Sequence, residues 1–283
     1  MAEHHGRDGA NEGVKSFLAS FHCFVHGGTS SLLSTLIVFP VYKTVFRQQI
    51  HNTPIRHAVR QLYKEGPVKL FRGVTPPLVK QTLNGTLLFG LQDRLRRHLS
   101  LPSALAGLGA GVVEGLVFTP FERVQNVRQN GKNDISFPSL KSVLVRLRSE
   151  NLASGYYRAF LPITVRNALG SCLYFGLKEP MPAFGDRQGL PQWISSFISG
   201  TLISIPISLS LYPLSVLASN MQAEVNQEVK GVMVCWKMLW ESRQRSIALL
   251  YRGGSLVILR SCLTWGITTA FFDKQEIWLQ SRH

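Results

Sequence analysis

Three basic residues recur at equivalent positions along the chain. Lys80, Arg166 and Arg260 each lie eight positions after the arginine of an aromatic–arginine pair. Each lies in an otherwise apolar stretch, where a base that faces lipid would cost about 2.5–3.5 kcal/mol on insertion scales. Such bases are tolerated when they line a water-filled interior, where they can bind an anion. We therefore expect a small anionic ligand to contact these three residues.

Polar neighbours extend this candidate site. Gln81, Asn167 and Ser261 directly follow the three bases and can add hydrogen bonds to the ligand. Two arginines can grip a diphosphate in bidentate fashion, so the pattern favours a phosphorylated anion. Glu114 is an acid within an apolar span, and two roles are open for it. It can pair with one of the bases and reduce their mutual repulsion, or it can contact the ligand.

The sequence lacks the residue patterns expected for catalysis, metal binding or nucleic-acid binding. The sequence has no nucleophile with a neighbouring base and no phosphate-binding loop, so we expect neither an enzyme nor a cofactor. His22 and His26 lie one turn apart without a third ligand, so no metal site is expected. The net charge of +15 is compatible with nucleic-acid binding, but the basic residues concentrate in connecting segments. We therefore expect no nucleic-acid partner.

The bases recur because the chain is built from three repeats. The aromatic–arginine pairs are Phe71-Arg72, Tyr157-Arg158 and Tyr251-Arg252. We predict the repeats at residues 17–100, 101–185 and 190–280. In each repeat, a first apolar span without lysine or arginine precedes a second span that carries one of the three bases.

The apolar spans indicate the fold class. The first spans of the repeats are residues 17–40, 102–121 and 193–221, and the second spans are residues 74–91, 160–177 and 255–272. They approach the roughly 20 apolar residues that cross a bilayer. A soluble bundle also has apolar helices, but it has no reason to place an unpaired base at one depth three times. The sequence predicts an all-α membrane protein with six transmembrane helices in three pseudo-threefold repeats.

Charge and proline content add orientation and shape. The long connectors within the repeats are basic, which places them on the positive side of the membrane and both termini on the other side. Pro40, Pro120 and Pro213 end the apolar part of the three first spans. Proline inside a helix removes a backbone hydrogen bond and kinks the helix. We expect three kinks that draw the helix ends toward a common axis.

These features together resemble the mitochondrial carrier family, solute carrier family 25. The motifs that carry the resemblance are Glu65-Gly66, Phe71-Arg72-Gly73 and Tyr251-Arg252-Gly253. The segments FPVYKTVFRQQIH, FERVQNV and YRGGSLVILRS look like its triple-repeat subgroup, which includes carriers of NAD. The resemblance implies short matrix helices, residence in the inner mitochondrial membrane and secondary transport by alternating access. It makes the three bases substrate contact points, and we expect an anionic, nucleotide-like substrate such as NAD.

The resemblance also implies two gates, at which this chain departs from the family pattern. The matrix-gate acid positions hold Tyr42, Glu122 and Ser215, and the positions of their partner bases hold Val45, Gln125 and Ala218. The cytoplasmic-gate positions hold Asp93 with Arg96, Glu179 and Asp273. A partly shielded salt bridge closes a gate more strongly than polar or apolar contacts do. We therefore expect a weak or differently built matrix gate.

Two further expectations concern lipid and function. Arg72, Arg158 and Arg252, with Gly73 and Gly253, look like the family's cardiolipin sites at helix starts. We expect bound cardiolipin and a monomer. Because gate residues are replaced, the alternative function is a transport-deficient carrier-fold protein that acts as a membrane binding or scaffold component. The complete set of three bases favours transport.

Overall fold

The computed structural model describes residues 29, 32–178, 192–225, 230–264 and 267. Within these residues the regular structure is helical, with no β-strand. The helices are α1 (residues 32–51), α2 (Ile55–Glu65), α3 (Pro67–Leu70), α4 (Thr75–Leu99), α5 (Ser103–Gln129), α6 (Leu140–Ser149), α7 (Phe160–Lys178), α8 (Gln192–Ser210), α9 (Tyr212–Ala223), α10 (Val232–Ser242), α11 (Ile247–Leu250) and α12 (residues 254–264), with a 3₁₀ turn at Gly131–Asn133. The predicted all-α fold class is confirmed.

Long helices overlap the predicted apolar spans. The helix Ser103–Gln129 and the stretch Ile247–Thr264 are each long and apolar enough to cross a membrane. Gly200–Ser210 and Tyr212–Ala223 together form a third, bent candidate span. The helices α1, α4 and α7 overlap the other predicted spans.

The three prolines have different local structures. Pro40 lies inside α1, and Pro120 lies inside α5. Pro213 instead lies in the first turn of α9, after a break at Leu211, and the chain bends by 61° between the two helical parts. Proline suits the first turn of a helix because the amide N–H that it lacks has no helical partner there.

Three glycines bring α5 close to α7. A Cβ atom on Gly107 would lie 2.7 Å from the Ser171 carbonyl oxygen, and one on Gly111 would lie 2.5 Å from the Asn167 carbonyl oxygen. Gly115 is as close to Thr164. Because the three glycines are four residues apart, they lie along one helix face and let two backbones approach closely. This contact positions the polar residues of α7 beside those of α5.

Short helices fill the connectors, as the family resemblance implied. Ala58 and Leu62 are buried on α2, and Val143 and Leu147 are buried on α6. The four-residue spacing places each pair on one helix face, and the face of α6 packs against the end of α5. Ser139 caps α6 through a reciprocal capping box.

Candidate functional site

A cavity of about 420 Å³ lies between the long helices. The predicted ligand-binding residues that line it are Lys80, Gln81, Glu114, Arg166, Asn167 and Arg260. Tyr42, Glu122 and Ser215, which the sequence placed at the matrix gate, line the same cavity. Ser261 is not among the lining residues. The structure therefore brings the predicted central site and the residues at the three matrix-gate acid positions into one space.

The carboxylate of Glu122 bridges two of the three bases. Its Oε1 atom accepts hydrogen bonds from Lys80 Nζ at 2.6 Å and from Arg166 Nη2 at 2.8 Å. Its Oε2 atom lies 2.9 Å from the same Arg166 nitrogen. The side chains of both bases are 20% exposed, and that of Glu122 is 13% exposed. In such a partly shielded site, attraction between unlike charges is stronger than at the open surface.

Two further contacts order the same group of side chains. Glu114 lies two turns before Glu122 on α5, and its Oε1 atom is 3.9 Å from Lys80 Nζ. Of the two roles considered for Glu114, this geometry supports the pairing role. Arg166 donates from Nε and Nη2 to Asn167 Oδ1, at 3.1 and 3.0 Å. Asn167 therefore helps to orient the guanidinium group toward Glu122.

Arg260 contacts an aromatic ring. Its guanidinium carbon lies 4.6 Å from the ring centroid of Tyr42, which is a cation–π contact. Among the described residues, no acidic side chain forms a salt bridge with Arg260. The cavity lining contains three bases and two acids, so it carries an excess of positive charge. Such a lining can attract and bind an anion.

Uncharged side chains join the ends of the proline-containing helices. Ser219 Oγ donates to Gln49 Oε1 at 2.9 Å, and Asn220 Nδ2 donates to the Gln49 carbonyl at 2.9 Å, which links α9 to α1. Asn126 Nδ2 donates to Gln222 Oε1 at 2.7 Å, which links α5 to α9. Sequence reasoning missed this amide network. Its signal was present, because a glutamine follows each of the three prolines by nine residues.

The predicted matrix-gate positions have partners that differ from those of the family pattern. Glu122 binds the central bases, and the equivalent base position of the third repeat holds Ala218. Val45 and Ala218 are both buried in one apolar cluster with Tyr212. In the described part of the chain, hydrogen bonds of the amide network and apolar packing join the helices at this level.

Two buried arginines bind carbonyl groups at helix ends. Arg123 donates to the carbonyls of Gln222 and Glu224 at the end of α9. Arg243 donates to the carbonyl of Gln49 near the end of α1. The last carbonyls of a helix have no intrahelical donor, so these contacts satisfy them. Burial lowers the pKa of Arg243, and the bound carbonyl compensates part of the lost hydration of its guanidinium.

The predicted cytoplasmic gate is described in part. Asp93 Oδ1 accepts a hydrogen bond from Arg97 Nε at 2.9 Å, one turn along α4, where both side chains are more than half exposed. Arg97 follows the predicted partner Arg96 by one residue. Glu179 and Asp273 lie outside the described residues. An exposed pair of this kind contributes about 0–1 kcal/mol.

The arginines of the aromatic–arginine pairs contact protein groups. Arg72 Nη1 lies 3.0 Å from Asp134 Oδ1, and Arg252 Nη1 donates to the Asn52 carbonyl at 2.6 Å. Arg158 is buried, and its backbone carbonyl accepts a hydrogen bond from Gln222 Nε2. Gly73 and Gly253 have φ angles of 87° and 103°. Lipid binding at these residues stays a prediction.

In the ranges that the structure describes, no group of three or more histidine, cysteine or acidic residues is arranged to hold a metal ion. His22 and His26 lie outside those ranges.

The sequence matches a known family and several of its members. The family model for "Mitochondrial carrier protein" matches residues 16–103, 100–184 and 190–283. Human solute carrier family 25 member 53 is 47% identical over 259 residues, which cover 87% of this chain and 84% of that protein. A human mitochondrial nicotinamide adenine dinucleotide transporter is 31% identical over 265 residues, covering 88% and 87% of the two chains.

A more distant relative is the mitochondrial tricarboxylate transporter 1 of Mycosarcoma maydis, which is 26% identical over 286 residues and covers 90% of this chain and 93% of its own. The three family matches follow one another from residue 16 to residue 283, in the order expected for a triple repeat. The family that the motifs predicted is thereby confirmed. The chain belongs to the mitochondrial carrier family and shares its helical triple-repeat fold, so it is a multi-pass carrier of the inner mitochondrial membrane.

Proposed function

We propose that this carrier moves an anionic, nucleotide-like metabolite such as NAD across the inner mitochondrial membrane. The proposal rests on the convergence of Lys80, Arg166 and Arg260, one from each repeat, on a single cavity. Its volume of about 420 Å³ lies within the roughly 300–1,000 Å³ that is usual for small-molecule sites. Two relatives that are 31% identical are named as nicotinamide adenine dinucleotide transporters, which supports a substrate of this class.

In this proposal, the substrate anion competes with Glu122 for two bases. A phosphate oxygen about 4 Å from one base gains roughly 4 kcal/mol at an effective dielectric constant near 20. Lys80 and Arg166 already converge on one carboxylate, so they are spaced to bind one anionic group together. The described lining carries three bases and two acids, so one added negative charge brings the site close to neutrality, and the two bases keep an anionic partner in the membrane.

Substrate binding is coupled to the helix ends through α5. Glu122 and Asn126 are one turn apart on this helix, and Asn126 contributes to the amide network. A substrate that displaces Glu122 therefore acts on the helix that carries the closing contacts. Neutral hydrogen bonds are worth about 0.5–1.5 kcal/mol each in net terms, so binding energy can open them. This supports alternating access around a fixed site.

A second candidate is a transport-deficient protein that acts as a membrane binding or scaffold component. The observation in its favour is the apolar character of Val45 and Ala218, which occupy two of the positions for gate bases. The cost of three bases inside a membrane counts against it, because a scaffold has no need of them.

Uptake into proteoliposomes separates the two functions. We expect the purified carrier to take up labelled NAD or ATP in preference to a dicarboxylate. Uptake should fall at least tenfold in Arg166→Ala, because a base that contacts the substrate is lost. Arg148→Ala, which removes an exposed base from α6, is the matched control and should keep full uptake. If no anion is taken up and none raises the melting temperature, transport is excluded and the scaffold function is favoured.

The proposal includes orientation and partners. Both termini face the intermembrane space, the carrier is a monomer, and cardiolipin binds near the aromatic–arginine pairs. The basic connectors support this orientation through the positive-inside rule. Protease digestion of an amino-terminal tag in mitoplasts tests the orientation, and native mass spectrometry tests the mass and the bound lipid. Protection of the tag, a dimer mass or a lipid-free spectrum would contradict the corresponding point.

A further inference from the structure

The three positions that follow the helix prolines by two residues carry three kinds of side chain. Tyr42, Glu122 and Ser215 are equivalent in the repeats, and all three line the cavity. An aromatic ring, a carboxylate and a hydroxyl group therefore face one space from three helices. A cavity whose sides carry different chemical groups can distinguish the parts of an asymmetric ligand.

Charged and aromatic groups lie on different helices around the cavity. Both acids come from α5, and two of the three bases come from the neighbouring helices α4 and α7. The aromatic lining residues are Tyr42 and Phe46 of α1 and Tyr212 of α9. Within the described chain, α1, α9 and α12 contribute no acid to the lining. The acids therefore lie on one side of the cavity, and the side with the aromatic rings carries Arg260, so that side suits a planar ring next to an anionic group.

The contact between Tyr42 and Arg260 shows that the tyrosine face accepts a planar group. The guanidinium carbon is 4.6 Å from the ring centroid. A guanidinium and a nucleobase are both flat, and both stack on aromatic rings with comparable strength. A nucleobase can therefore take the place of the guanidinium on this face. Arg260 is then available for an anionic group of the same ligand.

We infer that Tyr42 is a specificity-determining residue of this carrier. Its ring stacks on a heterocyclic ring of the transported anion, while Arg260 binds a phosphate of the same molecule. This inference rests on the proposed function and adds the residue that recognises the planar, nucleobase-like ring of the substrate. It assigns the selection of the ring to the first repeat and the binding of this phosphate to the third.

The test compares two probes that differ only in the ring. AMP and ribose 5-phosphate share a phosphorylated ribose, and their dissociation constants are measured from the melting temperature of the purified carrier. We expect the wild type to bind AMP about tenfold more tightly, as one stacked base provides. Tyr42→Leu should weaken AMP binding about tenfold and leave ribose 5-phosphate binding unchanged. Tyr42→Phe, which keeps the ring and removes the hydroxyl, should retain the preference for AMP.

The other outcomes have distinct meanings. Equal binding of the two probes by the wild type, or equal loss of both in Tyr42→Leu, overturns the inference but leaves anion transport intact. If neither probe nor any other anion shifts the melting temperature or is taken up, the proposed function itself fails. Tyr42→Met replaces Tyr42→Leu if the latter has a lower melting temperature without ligand.

Discussion

At the residue scale, Glu122 acts on two bases at once. Its carboxylate lies within 2.9 Å of nitrogen atoms of both Lys80 and Arg166. Two like charges that share a shielded cavity repel each other, and the carboxylate between them removes most of that repulsion. The same carboxylate occupies the place where an anionic ligand would meet the two bases. In the proposed function, Glu122 therefore both stabilises the protein and competes with the ligand.

Glu122→Gln separates these two effects. Glutamine keeps the shape of the side chain but removes its charge, which leaves Lys80 and Arg166 without a carboxylate between them. We expect a loss of about 3 kcal/mol in stability, seen as a melting temperature roughly 5 °C lower. Pyrophosphate should bind about tenfold more tightly, because it no longer has a competitor.

Glu114→Gln is the control for this experiment. The Glu114 carboxylate is 3.9 Å from Lys80, so its removal should change both quantities less. If pyrophosphate binds to Glu122→Gln with unchanged affinity, Glu122 does not compete with the ligand.

The sequence predicted which bases enter the cavity and Glu114 as a partner for one of them, but it did not predict Glu122 as a partner. Lys80, Arg166 and Arg260 recur at a fixed spacing, and equivalent positions in repeated helices occupy equivalent places in the fold. Partner choice depends on helix tilt and rotamers, which spacing along the chain does not encode. Glu122 was for this reason expected at the gate alone. Ser261 was chosen as a neighbour of Arg260, but adjacent helix residues point about 100° apart, so adjacency does not ensure a place in the lining.

At the element scale, the close contact of α5 and α7 fixes the distance between the paired charges. Glu122 lies on α5, and Arg166 lies on α7. Gly111 faces the backbone beside Arg166, where an added Cβ atom would lie 2.5 Å from the Asn167 carbonyl oxygen. Backbone atoms cannot move aside as a flexible side chain can, so any side chain at Gly111 must separate the two helices.

Gly111→Ala should therefore impair both stability and ligand binding. We expect a loss of about 2 kcal/mol from overpacking and a severalfold weaker stabilisation by pyrophosphate. Gly90→Ala on α4 is the matched control, because no atom lies within 4 Å of its added Cβ. This control should be neutral or gain up to about 1 kcal/mol from helix propensity. Equal melting temperatures of the two variants would show that the Gly111 contact does not limit the approach of the helices.

The break before α9 is a feature of the third repeat that the sequence pattern did not predict. Pro40, Pro120 and Pro213 look alike in the sequence, yet only Pro213 follows a break in its helix. The third repeat differs in Tyr212, which is buried and donates through its hydroxyl to the Arg252 carbonyl at 2.8 Å. This contact ties the start of α9 to the chain before α12. A local sequence pattern does not show a hydrogen bond between residues so far apart in the chain.

At the scale of the whole molecule, arginine–carbonyl contacts connect the repeats in a ring. The contacts are Arg72 with the Phe137 carbonyl, Arg123 with the Gln222 carbonyl and Arg243 with the Gln49 carbonyl. The first repeat thus donates to the second, the second to the third, and the third to the first. Because the acceptors are backbone carbonyls, these contacts do not need charged pairs at the matrix gate, where the base positions hold uncharged residues.

Arg243→Ala opens this ring at the contact between the third and first repeats. Arg243 is 2% exposed, and hydrogen bonds of charged groups are worth about 1.5–3 kcal/mol, so we expect a loss of stability of that size. Proteoliposomes that contain the variant should also leak labelled substrate faster.

The control is Arg245→Ala, whose side chain is 73% exposed and lies 3.9 Å from Glu241. This surface pair is worth about 0–1 kcal/mol, so the control should melt like the wild type. The difference should persist in 0.5 M KCl, roughly the range where surface charges are screened, because a buried contact is screened much less. Loss of the difference at high salt would instead assign the effect of Arg243 to surface charge.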